Sequence, residues 1–379
     1  MTLSVGIFRI VLILFLVKIA YFIFACFYEQ VETVNIDTYI ESLDNNDGGW
    51  YMRIAQNGYR VITKFEDLSG GWINGKLIQS EWAFFPVYPA LIAGLSSILG
   101  WDLTSSAILL SYIFSIAGFV CLFIFCNIFF NNTVQAFYTT LCVMLFPFHY
   151  YYSMFYTEAL FFTFMISCFI FIYKKQYLLL AIMLIPLTLV RPNGIVVSMA
   201  LYIFFLEQNN ILSKYKIDWN KLFSKEIILN SFYFLTSPLA LLGYCIYQFY
   251  KTGYFLAFTI AQNGWGKKAT FPLSVFYQYN DATSILYSTY TILAMLVAVY
   301  GWRKLPLSLN ILIWTSILIP LSSGSVLSMQ RFISVIFPLF IIISYNLYKR
   351  NYRYLILVGL FVLQLLSYYY WFNKSQLGF

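Results

Sequence analysis

Charge is what this sequence has least of: Asp, Glu, Lys and Arg make up 10% of its 379 residues, against about 25% in an average soluble domain. A chain that is 61% hydrophobic, with a mean hydropathy of +0.75, has too few ionisable side chains to cover a water-facing surface. That excludes a soluble globular protein or a secreted domain and leaves a bilayer as the solvent. The single histidine excludes a histidine-rich metal site. No complete GxxxxGK(S/T), no GxGxxG and no HExxH occurs, so nucleotide hydrolysis and zinc chemistry drop out. Cys26, Cys121, Cys126, Cys142, Cys168 and Cys245 all stand in apolar runs without CxxC spacing, and read as small buried hydrophobes.

Aromatic residues, by contrast, are abundant: 33 Tyr, 39 Phe and 9 Trp. They suit an all-α bundle whose outer face meets membrane lipids and whose rims lie among headgroups. The net charge of +8 is of the kind that fixes orientation in a multi-pass protein, and nucleic acid is not an expected partner.

The first apolar run, 5–28, is long for a cleavable signal and contains Lys18, so it reads as a spanning helix. Further runs fall near 105–127, 134–148, 155–173, 177–190, 194–206, 228–250, 284–301, 307–321, 331–348 and 354–372. The expectation is a polytopic membrane protein of about eleven transmembrane helices, a single integral membrane domain over 1–379. Several runs are short, and Pro147, Pro186, Pro192, Pro306, Pro320 and Pro338 interrupt or border them. Broken helices are tolerated where the freed backbone lines protein or a polar cavity.

Sidedness turns on the apolar stretch 82–99. If it lies along the surface, Arg9, Lys174, Lys175, Lys214, Lys216, Lys221, Lys225, Arg303, Lys304, Lys349, Arg350 and Arg353 share one side with only Glu207, Asp218 and Glu226. Most acidic residues, from Glu29 to Asp281, then fall opposite, with Arg53, Arg60, Lys64, Lys76, Lys251, Lys267, Lys268 and Lys374. The positive-inside rule favours this arrangement, with a cytoplasmic amino terminus and 82–99 as an interfacial or re-entrant helix. It creates a large outer loop, 29–104, carrying interfacial helices, and a second outer loop, 251–283. Outer loops of this length are usually functional.

In the first loop, Asp47-Gly48-Gly49-Trp50-Tyr51 combines an acid, a tight backbone and two flat apolar faces of the kind on which sugar rings stack. An ordinary helix N-cap accounts for Asp47 equally well on spacing alone. Lys18, His149, Glu158, Arg191 and Arg331 lie within or at the edge of apolar runs, where ionisable groups are costly. All but Lys18 fall at the outer boundary of the chosen topology. His149 and Glu158 share one short connection. Arg191 precedes Pro192-Asn193-Gly194, and Arg331 follows Ser322-Ser323-Gly324-Ser325. Two guanidiniums on an outward rim suit a phosphate or pyrophosphate; intramembrane ion pairs, such as Arg191 with Glu158, are the competing account.

The run from Asp47 through Ile54-Ala55 to Gly58-Tyr59, followed by Phe84-Phe85-Pro86-Val87-Tyr88-Pro89, resembles the opening signature of the PIG-V-type mannosyltransferases, polytopic GT-C glycosyltransferases. The likeness continues in order through Tyr156–Phe161, Leu189–Gly194, Ala261-Gln262 with Trp265-Gly266, and Gln330-Arg331-Phe332. It implies a GT-C-like fold and a polyprenyl-phosphate sugar donor, mannose above all, with inversion at the anomeric carbon. The expected acceptor is a lipid or glycan; the composition, rich in Ile, Tyr, Phe, Asn and Lys, suggests a bacterial member, and the chosen topology puts the site on the outer face of the plasma membrane. By the same resemblance Asp47 serves the acceptor hydroxyl. Arg191 and Arg331 are then expected at the donor phosphate, and Trp50, Tyr51, His149, Glu158, Gln262 and Trp265 at the substrates. Residues 44–47 read Asp-Asn-Asn-Asp, a departure from DxD that weighs against metal dependence, so no metal ligand is assigned and no cofactor is certain, a divalent metal staying open. The alternative is a transporter or flippase of lipid-linked sugars, against which the absence of visible inverted repeats weighs.

Overall fold

The structure is a computed structural model that describes residues 1–28, 36–73, 76–213, 216–277 and 281–373. Glu29, Lys214 and Lys374 of the charge comparison lie outside the described residues. The chain is 77% helical and nearly all-α.

The first long helix, α1 (Leu3–Tyr28), leads into three short ones, α2 (Ile36–Leu43), α3 (Asp47–Asn57) and α4 (Phe65–Ser69). A small hairpin follows, β1 (Gly71–Ile73) against β2 (Lys76–Ile78), and then α5 (Val87–Leu99). The bundle continues with α6 (Leu103–Phe130), α7 (Thr133–Met144), α8 (Glu158–Tyr173), α9 (Tyr177–Val190) and α10 (Gly194–Gln208). A second hairpin, β3 (Leu212–Ser213) with β4 (Lys216–Ile217), precedes α11 (Trp219–Leu222), α12 (Lys225–Ser231) and α13 (Thr236–Thr252). The last third holds α14 (Ala257–Ala261), α15 (Ala282–Gly301), α16 (Leu307–Leu321), α17 (Met329–Ser334), α18 (Phe337–Leu347) and α19 (Arg353–Phe372).

Among the described residues, five segments are long and apolar enough to cross a membrane: Leu3–Ala25, Leu103–Phe130, Lys225–Thr252, Ala282–Gly301 and Arg353–Phe372. With the shorter apolar helices packed among them, they make this a multi-pass membrane protein. Every apolar run in the sequence contains helix, but three runs are interrupted. The run 228–250 passes through a 3₁₀ turn, Phe232–Leu235, between α12 and α13. The run 134–148 stops being helical at Met144, three residues before Pro147. The run 331–348 divides between α17 and α18, with Pro338 in the first turn of the second. At Pro147 and Pro338 the ring and the missing N–H disfavour continuing the helix, whereas Pro186 and Pro320 stay inside α9 and α16. Helix α5, of 13 residues, spans about 20 Å, short of the roughly 30 Å hydrocarbon layer, and packs on α3, α6 and α9.

Polar residues at the ends of the apolar runs start the helices. Asp102 accepts from the Ser105 N–H at 2.8 Å, Asn132 from the Val134 and Gln135 N–H groups at 3.0 and 3.1 Å, and Asp281 from the Ser284 N–H at 3.0 Å. Helix α16 follows Pro306, which lacks a capping side chain, and its cap comes from another helix: Glu207, at the end of α10, accepts from the Leu307 N–H at 2.7 Å and from the Ser308 hydroxyl.

Contacts between helix ends fix the directions. At one end the close of α10 meets the start of α16 through Glu207, the close of α18 meets that of α15 through Asn346 donating to Tyr300 at 2.9 Å, and the start of α19 meets the first half of α7 through Tyr354 and Tyr138 at 3.2 Å. At the other, Trp371 near the close of α19 donates to the Ser42 carbonyl at 2.8 Å, and Tyr156 before α8 donates to the Asn45 carbonyl at 2.9 Å. The apolar helices therefore alternate in direction. Alternation gathers the breaks before α8, between α9 and α10, and before α17 at the same end as α2 and α3.

Candidate functional site

Asp47 is the first residue of α3, and Asn46 before it adopts a left-handed φ of 55° without making a side-chain cap. Its carboxylate does not cap the helix. Oδ2 accepts a hydrogen bond from Arg331 Nη1 at 2.6 Å. Arg331 lies on α17, and its Nε stands 3.0 Å from Oε1 of Glu158, the first residue of α8. That same oxygen is paired with Arg191 Nη2, while Arg191 Nε donates to Thr157 Oγ1 at 2.6 Å. The result is an alternating chain, Asp47–Arg331–Glu158–Arg191, assembled from four separate breaks in the fold. The Glu158 side chain is fully buried, and ionised groups persist in such surroundings only when paired in this way. Both acids also sit at helix N-termini, where the backbone favours negative charge. Aromatic faces flank the cations: Tyr156 lies 5.0 Å from the Arg331 guanidinium and Phe161 5.5 Å from that of Arg191.

The outer part of this chain opens into a cavity of about 500 Å³ lined by Asn46, Asp47, Tyr151, Tyr156, Asp281, Thr283, Ser284, Ser325, Val326, Leu327, Ser328, Arg331 and Trp371. That volume lies within the range of small-molecule sites. Lys267 lies within electrostatic reach of Asp47 and Arg331. The main chain after Lys267 pairs with the segment leading to the cavity wall, through Lys268 N–H to Ser323 O at 3.0 Å and Thr270 N–H to Ser322 O at 2.9 Å. Burial pushes the Lys267 ammonium below the usual lysine range; Asp47 opposes that shift and Arg331 adds to it. Lys267 makes no ion pair among the described residues.

On the other flank of α3 is an aromatic cluster. Trp50 stacks on Phe84 at 5.7 Å and meets Trp265 edge-on at 5.8 Å, while Tyr51 packs against Phe84 at 5.1 Å and Tyr88 at 5.3 Å. Gln262 Nε2 donates to the Ala83 carbonyl at 3.4 Å. Glu81 anchors the approach to this cluster by accepting two 2.7 Å bonds from Arg60 and one from its main-chain N–H at 3.0 Å. Burial raises the Glu81 carboxyl, but the Arg60 bonds outweigh it and hold the group below the ordinary carboxylate range.

Nine side chains carry the sequence-based expectations, and the structure distributes them in three places. Asp47, Glu158, Arg191 and Arg331 form the ionic chain, of which Asp47 and Arg331 line the cavity. Trp50, Tyr51, Gln262 and Trp265 form the aromatic flank, outside the cavity lining. His149 joins neither. It is fully buried between Phe119 at 5.0 Å and a stacked Tyr152 at 5.2 Å, with no hydrogen-bond partner on either nitrogen. Arg191 is not among the residues that line the cavity; its Nε and Nη2 are turned to Thr157 and Glu158. Sequence reasoning missed Lys267, Tyr151, Trp371 and the Asp281–Ser284 cap; only the last carries a local signal, an acid three residues before a serine at the head of an apolar run.

Gly70 to Lys76 has GxxxxGK spacing, but Leu77 follows and the run carries the β1–β2 hairpin, not a strand leading to a helix, so it makes no phosphate loop. Among the described residues no three His, Cys, Asp or Glu side chains converge as a metal site. No protein-family model and no curated protein matches this chain.

Proposed function

We propose that this protein is a GT-C-type glycosyltransferase of about eleven spans that moves a hexose, with mannose favoured by the motif resemblance, from a polyprenyl phosphate to a lipid or glycan acceptor. The acceptor would be met on the outer face of a bacterial plasma membrane. The observation that carries this reading is that short motifs scattered from Asp47 to Arg331 come together at one end of the bundle, where an acid and a guanidinium face one cavity.

The chemistry follows from those two groups. The acceptor oxygen attacks the anomeric carbon from the face opposite the phosphate, the carbon–oxygen bond to phosphate breaks with its electron pair retained by the leaving polyprenyl phosphate, and Asp47 takes the acceptor proton. Arg331 offers charge-assisted donors to the leaving phosphate in a partly dry cavity. Arg191 acts as a positioning residue, because it reaches the cavity only through Glu158 and Arg331.

The test is sugar transfer in reconstituted vesicles supplied with one labelled polyprenyl-phosphate sugar at a time and a membrane-lipid extract. Transfer from one donor, lost in Asp47→Asn while insertion and thermal unfolding stay normal, is the expected result. Movement of labelled lipid across the vesicle wall with no product from any donor would replace the transferase reading with a transporter.

A further inference from the structure

Arg331 is asked to bind a phosphate, yet one of its terminal nitrogens is already bonded to Asp47 at 2.6 Å. Its Nε faces the buried Glu158, so the remaining donor capacity of the fork lies on the cavity side, where Asp47 also sits. A second cation, Lys267, lies close enough for both Asp47 and Arg331 to act on its charge, and it has no ion-pair partner of its own among the described residues. Arg191, Arg331 and Lys267 thus confront Asp47 and Glu158. The remaining acid of the cavity wall, Asp281, is committed to the start of α15, accepting from the Ser284 N–H and, at 2.6 Å, from its hydroxyl.

We infer that Arg331 and Lys267 form an anion site for the phosphate of a lipid-linked substrate, which Asp47 occupies as a resident counter-ion until that phosphate arrives. This deepens the glycosyltransferase reading and rests on it for the identity of the phosphate. While Oδ2 of Asp47 accepts from Arg331, that oxygen is not open to an acceptor hydroxyl. The donor's phosphodiester carries one charge, like the carboxylate, and competes for the same donors through its two free oxygens. Its arrival draws Arg331 and Lys267 away from Asp47 and leaves the carboxylate free for an acceptor hydroxyl. The site therefore works in order, phosphate first and acceptor second, and an acceptor that enters alone meets a blocked base.

The experiment measures binding of farnesyl phosphate, inorganic phosphate and farnesol to the detergent-solubilised full chain by calorimetry, in wild type, Asp47→Asn and Lys267→Gln. Removing the resident carboxylate is expected to tighten farnesyl phosphate binding about tenfold, equivalent to roughly 1.4 kcal/mol. Lys267→Gln is expected to weaken it several-fold, and neither change should move farnesol. Farnesyl phosphate should bind more tightly than inorganic phosphate; equal affinities would overturn the lipid-linked assignment. Unchanged or weaker phosphate binding in a folded Asp47→Asn protein would overturn the counter-ion role, even if sugar transfer is found. Tightening in a protein that transfers no sugar would keep the anion site and sink the transferase reading alone.

Discussion

Glu158 holds two guanidiniums on one oxygen while its side chain is closed to solvent. Neutralising it leaves Arg191 and Arg331 facing each other across an uncharged amide, so Glu158→Gln should destabilise the protein by about 3–5 kcal/mol, read as thermal or denaturant unfolding in detergent. Thr157→Val removes a single bond to Arg191 and should cost about 1–2 kcal/mol. Lys267 offers a titration at the same scale. Because burial lowers it and Asp47 holds it up, Asp47→Asn should lower the pH at which it becomes reactive still further. The pH profile of Lys267 acylation, followed by mass spectrometry, checks this; a profile that moves upward would separate the two groups. Asp47 and Arg331 lie 284 positions apart, so no local sequence signal pairs them, whereas the Arg191–Glu158 pair was already open to a reading of the sequence.

At the scale of elements, the junction between α9 and α10 depends on Gly194. A Cβ there would fall 2.2 Å from the Leu187 carbonyl oxygen and 2.6 Å from Thr188 Cα, both backbone atoms that cannot swing aside. Gly194→Ala should cost about 1–3 kcal/mol and lower the unfolding temperature; by pushing Arg191 off Glu158 it should also lower sugar transfer if the proposed function holds. The Arg60–Glu81 clasp predicts a pH response. Glu81 has its folded pKa depressed, so its stabilisation is present above the ordinary carboxylate range and is lost as pH falls through the lowered value. Proteolysis of the 58–86 segment should accelerate in acid, and Glu81→Gln should show the faster cleavage already at neutral pH. The apolar runs were legible as helices because their composition acts locally. The division of 331–348 was also legible in principle, through Pro338, although hydropathy alone reads one continuous run.

For the whole molecule, the cavity and the aromatic flank share one end of the bundle, and the basic β3–β4 region lies beyond α10 on the other. If the charge bias sets orientation, a cysteine replacing Lys268 should react with a membrane-impermeant maleimide in intact cells, and one replacing Lys216 only after permeabilisation. The reverse pattern would turn the cavity to the cytoplasm and remove the argument for an outward donor.

The sequence by itself determined that the chain is helical, multi-pass and aromatic-lined, because hydrophobic transfer and backbone hydrogen bonding in a bilayer depend only on local composition and run length. It also marked which ionisable groups stand at the ends of those runs. Only the tertiary structure decided how they are used. His149 and Glu158, close in sequence, separate because a 3₁₀ turn at His149–Tyr152 carries the imidazole in among Phe119 and Tyr152, whereas the carboxylate begins a helix facing Arg191 and Arg331. Direction at a helix break is set by packing against distant elements, and so is the pairing of charges that the break exposes.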